Sequence, residues 1–288
     1  MIAAPALTES EFRMIRDFVH REAGIFLGPH KMALLSSRLA RRLRELGFRR
    51  YGDYFRQAVL PDPAEQVQLL DRLCTHETRF FREPRQFELL ERAILPAWRT
   101  AAEAGRRPRQ ARFWSAGCST GEEPFSIALT LVAGLPGWDV SVLATDLSTQ
   151  ALARAETATW PVERAGEIPP ALLKRYLLRG TRSQEGLMRA GAELRARVRF
   201  QRLNLNADRY PAEGGFDAIF CRNVLIYFDA ESKARVIERL VERLAPGGFL
   251  FLGHSESLIG WSGRMSVVQP TVYQLASGPA GGAPAPPP

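Results

Sequence analysis

The chain is poor in the residues that build disulfides and metal centres. Its 288 residues include three cysteines, Cys74, Cys118 and Cys221, odd in number, far apart and in no CxxC spacing. That excludes a disulfide framework and a cysteine zinc site, and the three read as reduced core thiols. Four scattered histidines form no ligand pattern, so no metal is expected. No apolar run approaches the ~18 residues that a membrane helix needs. The opening MIAAPALTESEF lacks the basic-then-apolar order of a secretion signal. These absences leave a cytoplasmic globular chain, without membrane insertion, as the expectation. An apolar fraction of 45% is ample for a core.

Charge is present in excess of one sign, +8 overall. Between residues 31 and 56, Lys31, Arg38, Arg41, Arg42, Arg44, Arg49, Arg50 and Arg56 face only Glu45 and Asp53. Such a patch suits an acidic partner, although solvated helix faces are often Arg-rich as well.

The pattern from Thr8 to about Ala104 is helical. TESEF offers a capping box at Thr8 and Glu11, and Leu35, Leu39, Leu43 and Leu46 recur at helix spacing before Gly47. The breaker GRRPR, Gly105 to Arg109, predicts a domain junction. Strand and helix signals then alternate: strand 112–116, helix 122–133, strand 140–145, helix 149–157, strands 198–205 and 216–221, helix 230–244, strand 247–253. The runs MSVVQ and TVYQL, meeting at Pro270, predict a closing hairpin. This is the signature of an α/β fold with a parallel sheet covered by helices. Residues 160–197 are too long for an ordinary crossover and read as an inserted subdomain. The tail GPAGGAPAPPP cannot build a core and is expected to be disordered.

The stretch FWSAGCSTGEEPFSIALTL (113–131) carries the chemistry. Gly117 and Gly121 let the backbone turn sharply after the first strand and approach a ligand closely. A glycine turn alone does not choose the ligand. Glu122 and Glu123, at the start of the following helix, disfavour a pyrophosphate, whereas a sulfonium cofactor with its ammonium tolerates carboxylates. Asp146, ending the second strand, sits where such folds place a carboxylate on a ribose diol. Its alternative is to cap the next helix, for which Ser148 also serves.

Four stretches, THETRFFRE (75–83), WSAGCSTGEEPFSIA (114–128), FDAIFCRNVLIYFD (216–229) and GHSES (253–257), closely resemble the CheR-type chemoreceptor glutamate O-methyltransferases. The likeness runs in order from the N-terminal helices to Leu275. It implies a small N-terminal all-helical domain followed by a Rossmann-like class I methyltransferase domain, with a mostly parallel seven-stranded sheet and a small inserted β-subdomain. The expected boundaries are 1–85 for the substrate-recognition domain, 86–109 for a linker helix and junction, 110–277 for the cofactor domain (subdomain at about 160–197) and 278–288 for the tail.

The resemblance also implies the cofactor S-adenosyl-L-methionine, with S-adenosyl-L-homocysteine as product. By it, His76, Thr78 and Arg82 reach the cofactor from the first domain, and Gly117, Glu123, Asp146, Asn204, Leu205, Arg222 and Asn223 from the second. Arg82 and Tyr227 lie beside the reacting methyl; Tyr227 could instead be a core aromatic within VLIYF. His76 stands where the family commonly has Asn; it can donate or accept as the amide does, and can also become cationic. Arg38, Arg41, Arg42 and Arg44 are expected to dock the acidic helical bundle of a chemoreceptor, the enzyme acting as a monomer recruited to membrane-associated receptor arrays. Two other readings are disfavoured. A nucleic-acid methyltransferase would suit the basic charge, but no stacking-aromatic platform or base-flipping signature is visible. A non-catalytic binding module sits poorly with Arg82, Glu123, Asp146 and Asn223 all in place.

Overall fold

A computed structural model describes residues 6–210, 213–258 and 264–276. The Pro/Gly-rich tail expectation lies outside the described residues. Helices α1 (Glu9–Ala23), α2 (Met32–Glu45), α3 (Tyr51–Tyr54) and α4 (Pro63–Leu73) come first. The capping box forms as the sequence reads: Thr8 Oγ1 accepts from Glu11 N–H at 3.3 Å, and the Glu11 carboxylate accepts from Thr8 N–H at 3.0 Å. Leu35, Leu39 and Leu43 of α2 pack into a helical core with Phe12, Ile15, Tyr51 and Leu69. Leu46 does not join them. The helix stops at Glu45, Gly47 takes φ 76°, and Leu46 is left exposed beyond the turn.

Helices α5 (Pro84–Leu89) and α6 (Leu95–Glu103) lead into a sheet made of β1 (Gln110–Ala116), β2 (Asp139–Asp146), β6 (Val198–Arg202), β7 (Phe216–Cys221), β8 (Leu244–Leu252), β9 (Met265–Gln269) and β10 (Val272–Leu275). Their spatial order is β6-β2-β1-β7-β8-β10-β9. The first five run parallel, and β10 pairs antiparallel with β8 and β9 as the closing hairpin. Helix α7 (Glu122–Gly134), apolar on all sides and buried through Leu131, lies between β1 and β2 in the chain; α8 (Thr149–Thr157) follows β2, and α11 (Ala230–Val241) follows β7. The two sheet faces nucleate separate cores, one around Phe113, Phe125 and Phe220 and the other around Trp114, Ile219 and Leu250.

The insertion holds β3 (Thr159–Pro161), α9 (Pro170–Tyr176), β4 (Leu177–Arg179) and β5 (Leu187–Ala190), a three-stranded antiparallel sheet in the order β3-β5-β4, before α10 (Ala192–Arg195). Several expected boundaries move by a few residues; β8, expected at 247–253, begins at Leu244. Strand β6 ends at Arg202 rather than Leu205, because Asn204 turns the chain by accepting Asn206 N–H at 2.9 Å and donating to Glu22 C=O at 2.6 Å. Helix α11 ends at Val241, and Leu244 already pairs with Phe216 in the sheet.

Candidate active site

Strand order reverses between β1 and β7, and in open α/β sheets such a switch point leaves a crevice outside the carboxyl ends of the strands. A cavity of about 190 Å³ lies there. Every residue expected at the cofactor, His76, Thr78, Arg82, Gly117, Glu123, Asp146, Asn204, Leu205, Arg222 and Asn223, lines it, as does Tyr227. Four strand ends of the second domain and the linker after α4 therefore converge on one space.

Gly117 and Gly121 take φ of 93° and 99°, the left-handed region that favours glycine. A Cβ on Gly117 would collide with Val224 Cγ2, so the first turn must be glycine for the β7 loop to pack over it. Of the two glutamates, only Glu123 faces the crevice. Its Oε1 accepts from Ser115 Oγ at 2.6 Å, and its Oε2 takes Arg222 Nε–H at 2.7 Å, an ion pair in which both residues are buried. Glu122 instead accepts from Thr120 Oγ1 at 2.7 Å. Arg222 also donates to Arg82 C=O at 2.6 Å and Gln86 Oε1 at 3.1 Å, which clamps the linker to the sheet.

Asp146 is half-buried; desolvation pushes its carboxyl up, while Ser148 N–H at 2.9 Å and Ser119 N–H at 2.8 Å favour the anion. It does not cap α8, because Ser148 Oγ takes that position through Ala151 N–H at 3.1 Å. Asn204 lines the crevice, but its amide is committed to Glu22 and Asn206. Burial pushes the His76 imidazole down, favouring the neutral ring, with Asp146 and Asp71 opposing. Arg82 spends one N–H on Glu77 C=O at 2.9 Å. Tyr227 is 36% exposed at the mouth, and its carbonyl accepts Phe26 N–H at 2.7 Å from the segment after α1. It is therefore not a core aromatic.

The four arginines of α2 divide. Arg42 forms a two-armed pair with the buried carboxylate of Glu65, at 2.9 and 2.5 Å, which also accepts Tyr54 O–H at 2.7 Å. Arg38 donates to Leu73 C=O, to Cys74 C=O at 3.2 Å and to Thr75 Oγ1 at 2.7 Å, and so holds the linker wall of the crevice. Arg41 and Arg44 are exposed, Arg41 beside Glu45 at 2.9 Å.

Sequence reasoning assigned nothing to Glu256 of GHSES. Its buried carboxylate accepts Gly253 N–H at 2.7 Å, Asn223 N–H at 2.9 Å and Ile226 N–H at 3.2 Å, and so shapes the loop carrying Asn223 and Tyr227. A buried carboxylate on the amides of two separate loops has no periodic signature; the only cue was an acidic residue in an otherwise glycine- and serine-rich turn.

Comparison with known proteins agrees with this arrangement. The family model described as "CheR methyltransferase, all-alpha domain" matches residues 10–74, and "CheR methyltransferase, SAM binding domain" matches residues 76–274. The chain is 42% identical over 274 residues to the chemotaxis protein methyltransferase of Klebsiella aerogenes, covering 93% of this chain and 90% of that protein. It is 41% identical over 276 residues to that of Escherichia coli, covering 94% and 92%. To chemotaxis protein methyltransferase 2 of Pseudomonas aeruginosa it is 41% identical, covering 93% and 94%. A helical domain, a Rossmann-like sheet and a crevice between them, matched in order by both family models, make this chain a member of the CheR methyltransferase family, using S-adenosyl-L-methionine as methyl donor.

Proposed function

We propose that this enzyme methylates glutamate side-chain carboxylates in the cytoplasmic helical bundle of methyl-accepting chemoreceptors, forming glutamyl methyl esters. The observation that carries the reading is the convergence on one crevice of His76, Thr78, Arg82, Glu123, Asp146, Arg222, Asn223 and Tyr227.

The residues suit the cofactor. Asp146 offers a carboxylate to a ribose diol. Asn223 lines the crevice, and its buried Oδ1 has no hydrogen-bond partner among the described residues. Arg82 supplies a cation for a carboxylate of cofactor or substrate. Asn204 and Arg222 act through the walls they hold. When bound, S-adenosyl-L-methionine supplies a methyl carbon activated by a sulfonium.

A glutamate acceptor, with an ordinary pKa of about 4.3, is already anionic at neutral pH and needs no base. The crevice is consistent with that. Glu123 is neutralised by Arg222, Asp146 is bonded to two amides, and burial pushes the Cys74 thiol up to about 12. The protein's task is then to orient the acceptor oxygen, for which the exposed Tyr227 hydroxyl is available, and to exclude water; positioning of this kind contributes up to ~7–11 kcal/mol. No helix among the described residues is long and apolar enough to cross a membrane.

The test is transfer of labelled methyl groups to membranes containing chemoreceptors, followed by mild alkali. Release of volatile methanol is the expected result. Label that survives alkali would identify a nitrogen acceptor and overturn the proposal.

A further inference from the structure

Among the described residues, eight large apolar side chains stand exposed, and three of them, Phe26, Ile226 and Tyr227, meet at the mouth of the crevice. Backbone contacts bring them together. Ile25 forms a β-bridge with Phe228, and Phe26 N–H donates to Tyr227 C=O at 2.7 Å. Ile25, Ile226 and Tyr227 all line the crevice, so this bridge runs along its edge. A solitary exposed apolar residue needs no explanation, but a group of them at the edge of a concave site does.

The neighbours of these residues all find a core. Ile25 packs on the helical core, Leu225 is fully buried, and Phe228 packs on the second face of the large sheet. Phe26, 60% exposed, and Ile226, 49% exposed, join none of the cores. The fold uses only their backbone: Phe26 N–H is on Tyr227, and the Glu256 carboxylate accepts Ile226 N–H at 3.2 Å. The rim is therefore fixed in place while it presents two large apolar side chains to solvent. A polar residue at either position would serve the fold as well.

The acceptor decides what covers them. An α-helix with its side chains is about 10–12 Å across. One that sends a glutamate down to Tyr227 must lie over the mouth, with the residues flanking that glutamate against the rim. We infer that Phe26 and Ile226 are specificity-determining contacts of the methyl-accepting helix, packing against its apolar side chains beside the glutamate to be methylated. The inference rests on glutamate methylation in this crevice. It divides the labour of docking: Arg41 and Arg44 attract at a distance, which salt weakens, and the rim binds by apolar burial, which salt does not.

Initial rates of methyl transfer, measured against rising concentrations of a soluble cytoplasmic fragment of a chemoreceptor, test it. Phe26→Ser and Ile226→Ser should each raise KM for the fragment about 5- to 10-fold, the size of one partly exposed apolar side chain left uncovered. Turnover, melting temperature and Kd for S-adenosylhomocysteine should stay at the parent's values. The rise in KM should persist at high salt, and Phe26→Leu and Ile226→Leu should restore the parent KM. Unchanged KM in both serine variants would overturn the inference. So would a fall in kcat or cofactor affinity without a change in KM, which would place the side chains in the reaction itself. Serine variants that melt well below the parent would place them in the fold and overturn it as well. Self-association of the parent that the serine variants abolish, with KM unaltered, would give the rim to a second copy of this chain instead. A parent that binds S-adenosylhomocysteine but methylates no receptor fragment would overturn the glutamate reading, and the occupant of the rim with it.

Discussion

At the scale of single residues, the crevice separates groups that face the ligand from groups that build its walls. His76 stands among the former. Because burial lowers its pKa from the ordinary 6.5, the neutral ring contributes stability that is whole above about pH 6.5 and is lost as pH falls through that value toward the folded pKa. A protonated ring would also repel a sulfonium. Affinity for S-adenosyl-L-methionine should therefore drop as the ring titrates below pH 6.5, more steeply than affinity for the uncharged sulfur of S-adenosyl-L-homocysteine. His76→Asn should flatten the difference while keeping turnover at pH 7.5. Identical pH profiles for the two proteins would remove His76 from the cofactor's surroundings. Tyr227→Phe should cut turnover about tenfold, the worth of one hydroxyl contact made to the acceptor. Calorimetric affinity for the cofactor should be unchanged, since the Tyr227 link to the N-terminal segment runs through its backbone carbonyl.

At the scale of elements, α2 shows how a charge pattern can mislead. Read along the sequence, Arg38, Arg41, Arg42 and Arg44 form one basic stripe off the leucine face. In the fold, Arg42 belongs to a buried ion pair with Glu65 and Arg38 supports the linker, which leaves Arg41 and Arg44 as the cations able to meet an acidic helix. Arg42→Glu would set two carboxylates against each other and should destabilise the fold by about 3–5 kcal/mol, visible as a lower melting temperature. Arg41→Glu with Arg44→Glu should leave melting and cofactor affinity unchanged while weakening receptor methylation and reducing its salt dependence. Salt-independent methylation in the parent would return the stripe to ordinary solvated surface. The loop after β7 makes the same point from the acidic side. Glu256 sits on two of its amides, those of Asn223 and Ile226, and on Gly253 N–H after β8, and Glu256→Gln would present an N–H₂ to donors already aimed at an acceptor, so both cofactor affinity and turnover should fall.

At the scale of the whole molecule, the crevice exists only because the two domains are bolted together on both flanks. Asp71 of α4 accepts Thr149 N–H at 2.8 Å and Thr149 Oγ1–H at 2.6 Å, while Asn204, Asn206 and the His20–Asp229 pair at 2.5 Å tie α1 to the far side. Asp71→Ala should cost about 1–3 kcal/mol for the donors left unpaired. It should weaken S-adenosylhomocysteine binding in the same variant, because the linker lining the crevice follows α4 directly. The order of elements, the glycine turn, the closing hairpin and the existence of an insertion were legible in the sequence, because periodicity and turn chemistry are local properties written in neighbouring residues, whereas the β character of the insertion came from the family resemblance. Also legible was which residues would meet, since the four motifs carry a family resemblance that orders them around one ligand. Tertiary structure alone decided that Glu123 is neutralised by Arg222, that Asn204 ties down a helix, that Arg38 and Arg42 face inward, and that the hydroxyl of Ser119 is buried without a partner among the described residues. Each of these depends on atoms brought together from distant parts of the sequence, and no local pattern encodes a partner that far away.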